Sequence, residues 1–109
     1  MAPNNEDLDR AQELIELLDS FVSPDGKSYL QPPEGTKLKY PAIVIERNDA
    51  ETTYADNVPW SFTQRYQITL IAHDPNDDAF TKIKKLPMCR FIRHFTTAGL
   101  NHDIFNLYF

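Results

Sequence analysis

The chain has 109 residues, which allows one compact domain with a radius of gyration near ~13 Å and no second independent core. Hydrophobic residues make up 41% and charged residues 25% of it, with seven Phe, five Tyr and one Trp, so we expect a folded globular protein. Eleven Lys and Arg against sixteen Asp and Glu give a formal charge of −5. This balance excludes the whole chain as an electrostatic clamp on nucleic-acid phosphates.

Targeting signals and cysteines narrow the cellular setting. No apolar run approaches the ~20 residues that span a bilayer, and no basic stretch precedes an apolar one near Met1. We therefore expect neither a membrane protein nor a Sec substrate. The single cysteine, Cys89, excludes an intrachain disulfide framework and multi-cysteine metal motifs. This usage predicts a reducing compartment, with the cytoplasm as the default.

The first predicted element is an amphipathic helix, followed by a connector. Apolar residues recur at three- and four-residue steps up to Val22, the spacing of a helix with one buried face. Pro24 and Gly26 end it. Residues 23–39, rich in proline, predict an irregular connector. We expect one domain over 1–109, made of a helical segment 1–22, this connector, and a sheet with a second helix over 40–109.

Two strands and a polar loop are predicted next. Residues 40–46 are β-branched and apolar, with Pro41 at the start of the strand, where a missing N–H matters least. Residues 47–60 are polar and rich in turn-forming residues, which predicts a long loop that carries Tyr54 and Trp60. Residues 61–72 alternate between apolar and polar side chains, which predicts a central, half-buried strand.

The last part of the chain predicts a helix and a hairpin. Asp74 is the expected N-cap of the helix, with Pro75 at its first position, and Pro87 ends it. Two strands are expected over 89–97 and 102–109. The resulting fold class is α+β: an antiparallel or mixed sheet in the order α-β-β-α-β-β, with two helices packed on one face.

One group of residues resembles a metal or catalytic site. His94, His102 and Asp103 would meet across the last hairpin, with Cys89 near them in sequence. Imidazole and carboxylate groups can ligate zinc or relay a proton. The same residues also fit a hairpin with local hydrogen bonds, because no HExxH or paired CxxC spacing is present. We expect no catalytic residue, metal or cofactor, and Cys89 as a small core residue.

Two further features have both a structural and a functional interpretation. The basic concentration consists of Lys82, Lys84, Lys85, Arg90 and Arg93. It fits a solvated helix face, or contact with an acidic partner surface. The aromatic residues of the polar loop fit either a cap on the subunit's own sheet or anchors inserted into a neighbour.

Several strings of the chain resemble a family of small bacteriophage virion proteins. These strings are Tyr40-Pro-Ala-Ile-Val-Ile-Glu-Arg47, Tyr54-Ala-Asp-Asn57, Arg65-Tyr-Gln-Ile-Thr69, Leu86-Pro-Met-Cys-Arg-Phe91 and Leu100-Asn-His-Asp-Ile-Phe-Asn-Leu-Tyr-Phe109. The resemblance covers about 70 residues, from Tyr40 to Phe109. The family is similar to the tail terminator or tail-completion proteins of long-tailed phages.

The resemblance implies a non-enzymatic, tail-terminator-like α+β subunit that assembles into a homo-hexameric ring. The ring would cap the tail tube, join it to the head connector or stopper protein, and let double-stranded DNA pass without specific binding. Localisation would be the virion tail or neck, after assembly in the host cytoplasm and away from membranes. The alternatives are a head-tail adaptor or stopper of the same virion, a small metal-dependent enzyme using His94, His102 and Asp103, or a generic cytoplasmic dimer.

The expected site residues lie in the polar loop. We predict a subunit or tube interface at Tyr54, Trp60, Asp56 and Asn57. We also predict an acidic surface facing the lumen at Asp49, Glu51 and Asp56. For these acidic residues, simple solubilisation of the loop is the competing interpretation.

Overall fold

The computed structural model describes the backbone of residues 5–55 and 58–109, and the side chains of residues 10–48 and 64–109. Its class is α+β, as predicted: two helices and a five-stranded mixed sheet in the spatial order β1-β2-β3-β5-β4. The elements in chain order are α1 (Asn5–Val22), β1 (Lys27–Leu30), β2 (Ala42–Ala55), β3 (Val58–Ala72), α2 (Asp78–Lys84), β4 (Cys89–Thr97) and β5 (Leu100–Tyr108).

Helix α1 confirms the predicted first helix. Its apolar stripe is buried at Ala11, Leu14, Leu18 and Val22, the three- and four-residue spacing that keeps one face of a helix against a core. At its C-terminal end the Gly26 N–H donates to the Val22 carbonyl at 2.8 Å, which satisfies one of the carbonyls that the helix leaves open.

A short strand lies inside the segment predicted as an irregular connector. Strand β1 pairs in parallel with residues 42–45 of β2, so the observed order has one strand more than α-β-β-α-β-β. Ser28 anchors it, because its hydroxyl donates to the Ile15 carbonyl at 2.8 Å and its N–H donates to Asp19 Oδ1 at 3.0 Å. These partners are distant in sequence, so local composition could not reveal the strand.

Residues 47–55 and 58–60 form strands, so the prediction of a loop was wrong for them. Strands β2 and β3 continue through most of that segment as one antiparallel hairpin, paired as far as Ala55 and Val58. Pairing to β5 stops at Arg65, and β1 reaches only Ile45 of β2. The described residues 48–55 and 58–64, here called the hairpin arm, therefore have their register partners within the arm. The molecule measures 51 × 25 × 23 Å, with a radius of gyration of 15.0 Å. At about 3.3 Å per residue, the strand 48–55 is long enough to supply roughly half of the longest extent.

The core lies on one face of the sheet, between the strands and both helices. Strand β3 is central, as predicted, and its alternate residues Tyr66, Ile68 and Leu70 are buried. The other members of the buried cluster come from α1, β2, α2 and β5: Leu14, Leu18, Val22, Ile43, Ile45, Ala79, Ile83, Phe105 and Leu107. Because α1 and α2 both pack on this cluster, neither helix of the described residues covers the other face of the sheet.

Helix α2 begins later than predicted. Asp77, not Asp74, is the N-cap, and its carboxylate accepts from the Ala79 N–H at 2.9 Å. Asp74 instead closes a turn by accepting from the Asn76 N–H at 2.8 Å. Pro75 therefore lies in this turn rather than at the first helical position.

The predicted last hairpin is present, with two changes. Its connection is only Ala98-Gly99, and both residues have positive φ, 52° and 76°, as in the type I′ turns that suit twisted strand pairs. A bulge between Phe91 and Arg93 shifts the alternation of β4. Phe91 therefore lies beside Phe105 on the helix-covered face, whereas Phe95 lies beside His102 on the uncovered face.

Candidate functional site

His94 and Asp103 form a close cross-strand pair. They are register partners on β4 and β5, and His94 Nδ1 lies 2.7 Å from Asp103 Oδ1. The Asp103 side chain is 8% exposed and that of His94 is 41% exposed. On its outer side, His94 Nε2 lies 3.4 Å from the Thr96 hydroxyl, which donates to Asn101 Oδ1 at 3.2 Å. The arrangement orients one imidazole at the rim of the sheet.

His102 does not join this pair. It lies on the uncovered face, where it stacks on Phe95 with ring centroids 4.6 Å apart. The expectation that the two imidazoles approach each other is therefore wrong, since adjacent residues of a strand point to opposite faces. Among the residues that the structure describes, no group of three His, Cys, Asp or Glu could hold a metal ion.

Cys89 lies at the start of β4, far along the strand from His94. It is partly buried and packs against the core cluster. Burial raises the pKa of the Cys89 thiol, because desolvation penalises the thiolate. The neutral thiol is therefore favoured, as expected for a residue that packs rather than reacts.

The interface predicted at the polar loop falls on the hairpin arm. Tyr54 is the register partner of Pro59, and Trp60 falls where the pairing shifts from Thr53–Ser61 to Tyr54–Pro59. Asp56 and Asn57 lie outside the described backbone. The side chains of Asp49, Glu51, Tyr54 and Trp60 lie outside the described side chains, so the predicted anchors and acidic surface stay predictions.

The strongest surface feature among the described residues combines the basic concentration seen in the sequence with exposed apolar side chains that the sequence did not single out. The large hydrophobic side chains that are most exposed are Met88 (69%), Ile92 (44%) and Phe91 (37%). They lie at the start of β4, an edge strand of the sheet. We call them, with the neighbouring cations Lys82, Lys84, Lys85, Arg90 and Arg93, the β4 edge surface.

Helix α2 connects the cations of this surface to its apolar residues. Phe80 packs edge-on against Phe91 with ring centroids 5.5 Å apart, and Lys84 Nζ lies 5.8 Å from the centre of the Phe80 ring. Arg93 lies over the Phe95 ring at 5.0 Å. Exposed apolar area with a charged rim is the composition of a protein-binding surface.

A shallow cleft lies at the opposite edge of the sheet. It encloses about 310 Å³ and is lined by Gln31, Pro32, Val44, Glu46 and Arg47. Gln31 continues the pairing of β1 there, with its N–H donating to the Ile45 carbonyl at 2.8 Å. The cleft therefore lies where β1 and Gln31 stop covering the outer edge of β2 and the hairpin arm begins.

Comparisons of the chain with protein-family models, with curated proteins and with solved structures found no match. Within the part of the chain that the structure describes, no helix has the length and apolar character needed to cross a bilayer.

Proposed function

We propose that the protein is a structural virion protein of a long-tailed bacteriophage: a tail terminator whose copies form a ring that caps the tail tube and joins it to the head connector. In this role it is not an enzyme and needs no cofactor. Its partners are its own copies, the tail tube protein and the connector or stopper, with double-stranded DNA passing through the lumen.

The observation that carries the proposal is the hairpin arm. A two-stranded ribbon paired only with itself buries little of its own surface, and such ribbons are marginal in isolation. The arm nonetheless accounts for much of a 51 Å long molecule. A neighbouring subunit or a tube ring is the kind of partner that would cover it.

Three of the strings that carry the resemblance lie next to each other in the fold. The strings 40–47, 65–69 and 100–109 lie on β2, β3 and β5, which are adjacent in the sheet. They therefore form one continuous surface and core rather than scattered matches. The string 86–91 runs into the β4 edge surface.

A head-tail adaptor or stopper of the same virion is the second candidate. It would use the same arm and the same sheet edge, but against the connector rather than against the tube. The metal-dependent alternative is weaker, because His102 lies on the opposite face from His94 and Asp103.

Mixing purified protein with tail tubes that lack a terminator tests the proposal. The expected result is a ring bound at one end of each tube, seen by electron microscopy, and tubes that no longer elongate when tube protein is added. Lys37→Glu, a charge change in the segment between β1 and β2, is the control variant and should act as wild type. Binding to the connector with continued tube growth would favour the adaptor or stopper; binding to neither would contradict both.

A further inference from the structure

Among the residues that the structure describes, two of the open strand edges lie on opposite sides of the sheet. Strand β4 ends the spatial order β1-β2-β3-β5-β4. At the other end, β1 covers only residues 42–45 of β2, so β2 beyond Arg47 has β3 as its register partner and no described strand on its outer side. Open edges of this length carry unpaired N–H and C=O groups that favour pairing with another strand.

The β4 edge is only partly protected against pairing. Edge strands commonly avoid pairing through charged side chains, prolines, bulges or a short length, and β4 has a bulge and two arginines but no proline. Strand β4 has nine residues, and Phe91 and Ile92 are exposed on it. The bulge in β4 shifts the register with β5 only between Phe91 and Arg93. The edge is thus open and partly apolar, which favours a protein partner over solvent.

Charge distinguishes the two edges. Residues 82–93 hold five of the eleven basic residues and no acidic one, although the chain as a whole carries −5. Residues 46–55, the C-terminal part of β2, hold three acidic residues and one basic residue. The register places Glu46, Arg90 and Arg93 on the same, uncovered face of the sheet. Oppositely charged side chains on the same face of two neighbouring strands can form stabilising cross-strand pairs.

We propose that the outer edge of β4 in one copy pairs with the outer edge of β2, beyond Arg47, in a second copy. Backbone hydrogen bonds would continue the sheet across the contact, and Met88 and Ile92 would be covered by the arm of the neighbour. Because the two edges are different surfaces, the contact is heterologous, and its repetition closes a ring or extends a filament.

The inferred contact deepens the proposed function and rests on it for the identity of the assembly as a tail-terminator ring. The contact itself can be tested on the purified protein alone. It also leaves the predicted acidic lumen possible. Side chains of a paired strand still project from both faces of the sheet, so a strand at a subunit contact can also face a lumen.

Charge reversal tests the contact. Arg90→Glu with Arg93→Glu should reduce the assembled mass, measured by sedimentation over a range of protein concentrations, to the 12.6 kDa of one chain. Adding Glu46→Arg, which lies beside the proposed contact, and Glu51→Arg, which lies within it, to the same chain should restore assembly. The matched control, Lys82→Glu with Lys84→Glu, makes the same change of charge on α2 outside the strand and should weaken assembly less. Ile92→Lys, a single exposed change, is a second disrupting variant, and circular dichroism verifies the fold of each.

The outcomes separate this contact from the proposed function. An assembly that survives both Arg90→Glu/Arg93→Glu and Ile92→Lys overturns the contact and leaves the ring of the proposed function intact. A wild-type protein that stays monomeric up to about 1 mM, or that uses the β4 edge surface to bind duplex DNA as a monomer, also overturns it. Normal charge-dependent assembly without tube or connector binding would contradict the proposed function alone.

Discussion

Asp103 is the buried carboxylate of the described part of the chain, and His94 is its partner. A buried carboxylate requires hydrogen-bond donors, because removing it from water without them is costly. The imidazole supplies one donor at 2.7 Å from the neighbouring strand. At the residue scale this pair is therefore a structural link between β4 and β5, and no third ligand adjoins it among the described side chains.

We expect His94→Ala to lower the free energy of unfolding by about 1 kcal/mol or more, because it leaves Asp103 without this donor. Urea unfolding followed by circular dichroism measures the change. Thr96→Ala is the control and should cost less, since its hydroxyl lies 3.4 Å from the ring and on the exposed side. Equal losses for the two variants would contradict the argument.

We also expect no stoichiometric metal, as measured by elemental analysis of the purified protein. The pattern of His94, His102 and Asp103 lacks a spaced ligand motif, and the fold separates the two imidazoles. About one zinc per chain, lost on His94→Ala or His102→Ala, would overturn this expectation.

Cys89 predicts a pH dependence with a definite sign. Its pKa is raised in the folded state, so the folded protein binds the thiol proton more tightly than the unfolded chain does. This contribution to stability is complete below the ordinary thiol pKa and is lost as pH rises through the folded value. Unfolding measured between neutral and alkaline pH should therefore show a steeper decline for wild type than for Cys89→Ala. A parallel decline in the two proteins would contradict the assignment.

At the element scale, close backbone contact decides where β1 begins. Gly26 follows α1 directly, and the Lys27 N–H donates to the Pro41 carbonyl at 3.2 Å. A methyl group on residue 26 would lie 1.8 Å from the same carbonyl oxygen. Glycine is therefore required there by the approach of two segments, one before each of the parallel strands β1 and β2.

We expect Gly26→Ala to destabilise the protein by about 2 kcal/mol or more, because either the β1–β2 pairing or the end of α1 must move to make room. Gly35→Asn is the matched control: residue 35 has open space around it and a φ of +83° that asparagine tolerates. Thermal and urea unfolding of both variants test this. A Gly26→Ala protein as stable as the control would show that the backbone at residues 26 and 41 can move apart at little cost in stability.

At the scale of the whole molecule, the hairpin arm and the charge asymmetry are the features on which the proposed assembly with partners rests. The arm makes the chain elongated, and the basic β4 edge surface contrasts with a net charge of −5. Both features fit a subunit that is completed by its neighbours.

We expect assembly to depend on the arm, with Tyr54 and Trp60 as anchors between subunits or onto the tube. Large aromatic residues are the side chains most often found as interface hot spots, worth about 2 kcal/mol or more each. Trp60→Ala should keep the fold and weaken the oligomer and tail attachment, measured by sedimentation and electron microscopy. Unchanged assembly and attachment would reduce the arm to a solvent-facing hairpin.

We further expect the assembled ring to bind duplex DNA weakly at physiological salt. Six chains of −5 carry about −30 in total, and like charge between a lumen and phosphates prevents the counterion release that holds DNA in place. Asp49, Glu51 and Asp56 are the expected lumen residues. Tight binding in a DNA titration, or a lumen lined by Lys82, Lys84 and Lys85, would contradict this account.

What the sequence determined by itself are the elements whose pattern is local. The stripe of α1, the alternation of Tyr66, Ile68 and Leu70, and the last hairpin were predictable, because helix and strand periods depend on burying one side of each element. The N-cap of α2 was misplaced by three residues, since both Asp74 and Asp77 are followed by backbone N–H groups that a carboxylate can cap.

Only the tertiary structure decided what depends on pairing between distant segments. Strand β1 exists through hydrogen bonds to β2 and α1. The polar residues 47–55 and 58–60 form strands because each half of the hairpin supplies the other's hydrogen bonds. The bulge beside Phe91 places Phe95 on the uncovered face of the sheet. The two-residue alternation of a regular strand does not predict this change of face. The β4 edge surface likewise emerged only once α2 and β4 were adjacent, because exposure is a property of the packed chain and not of its sequence.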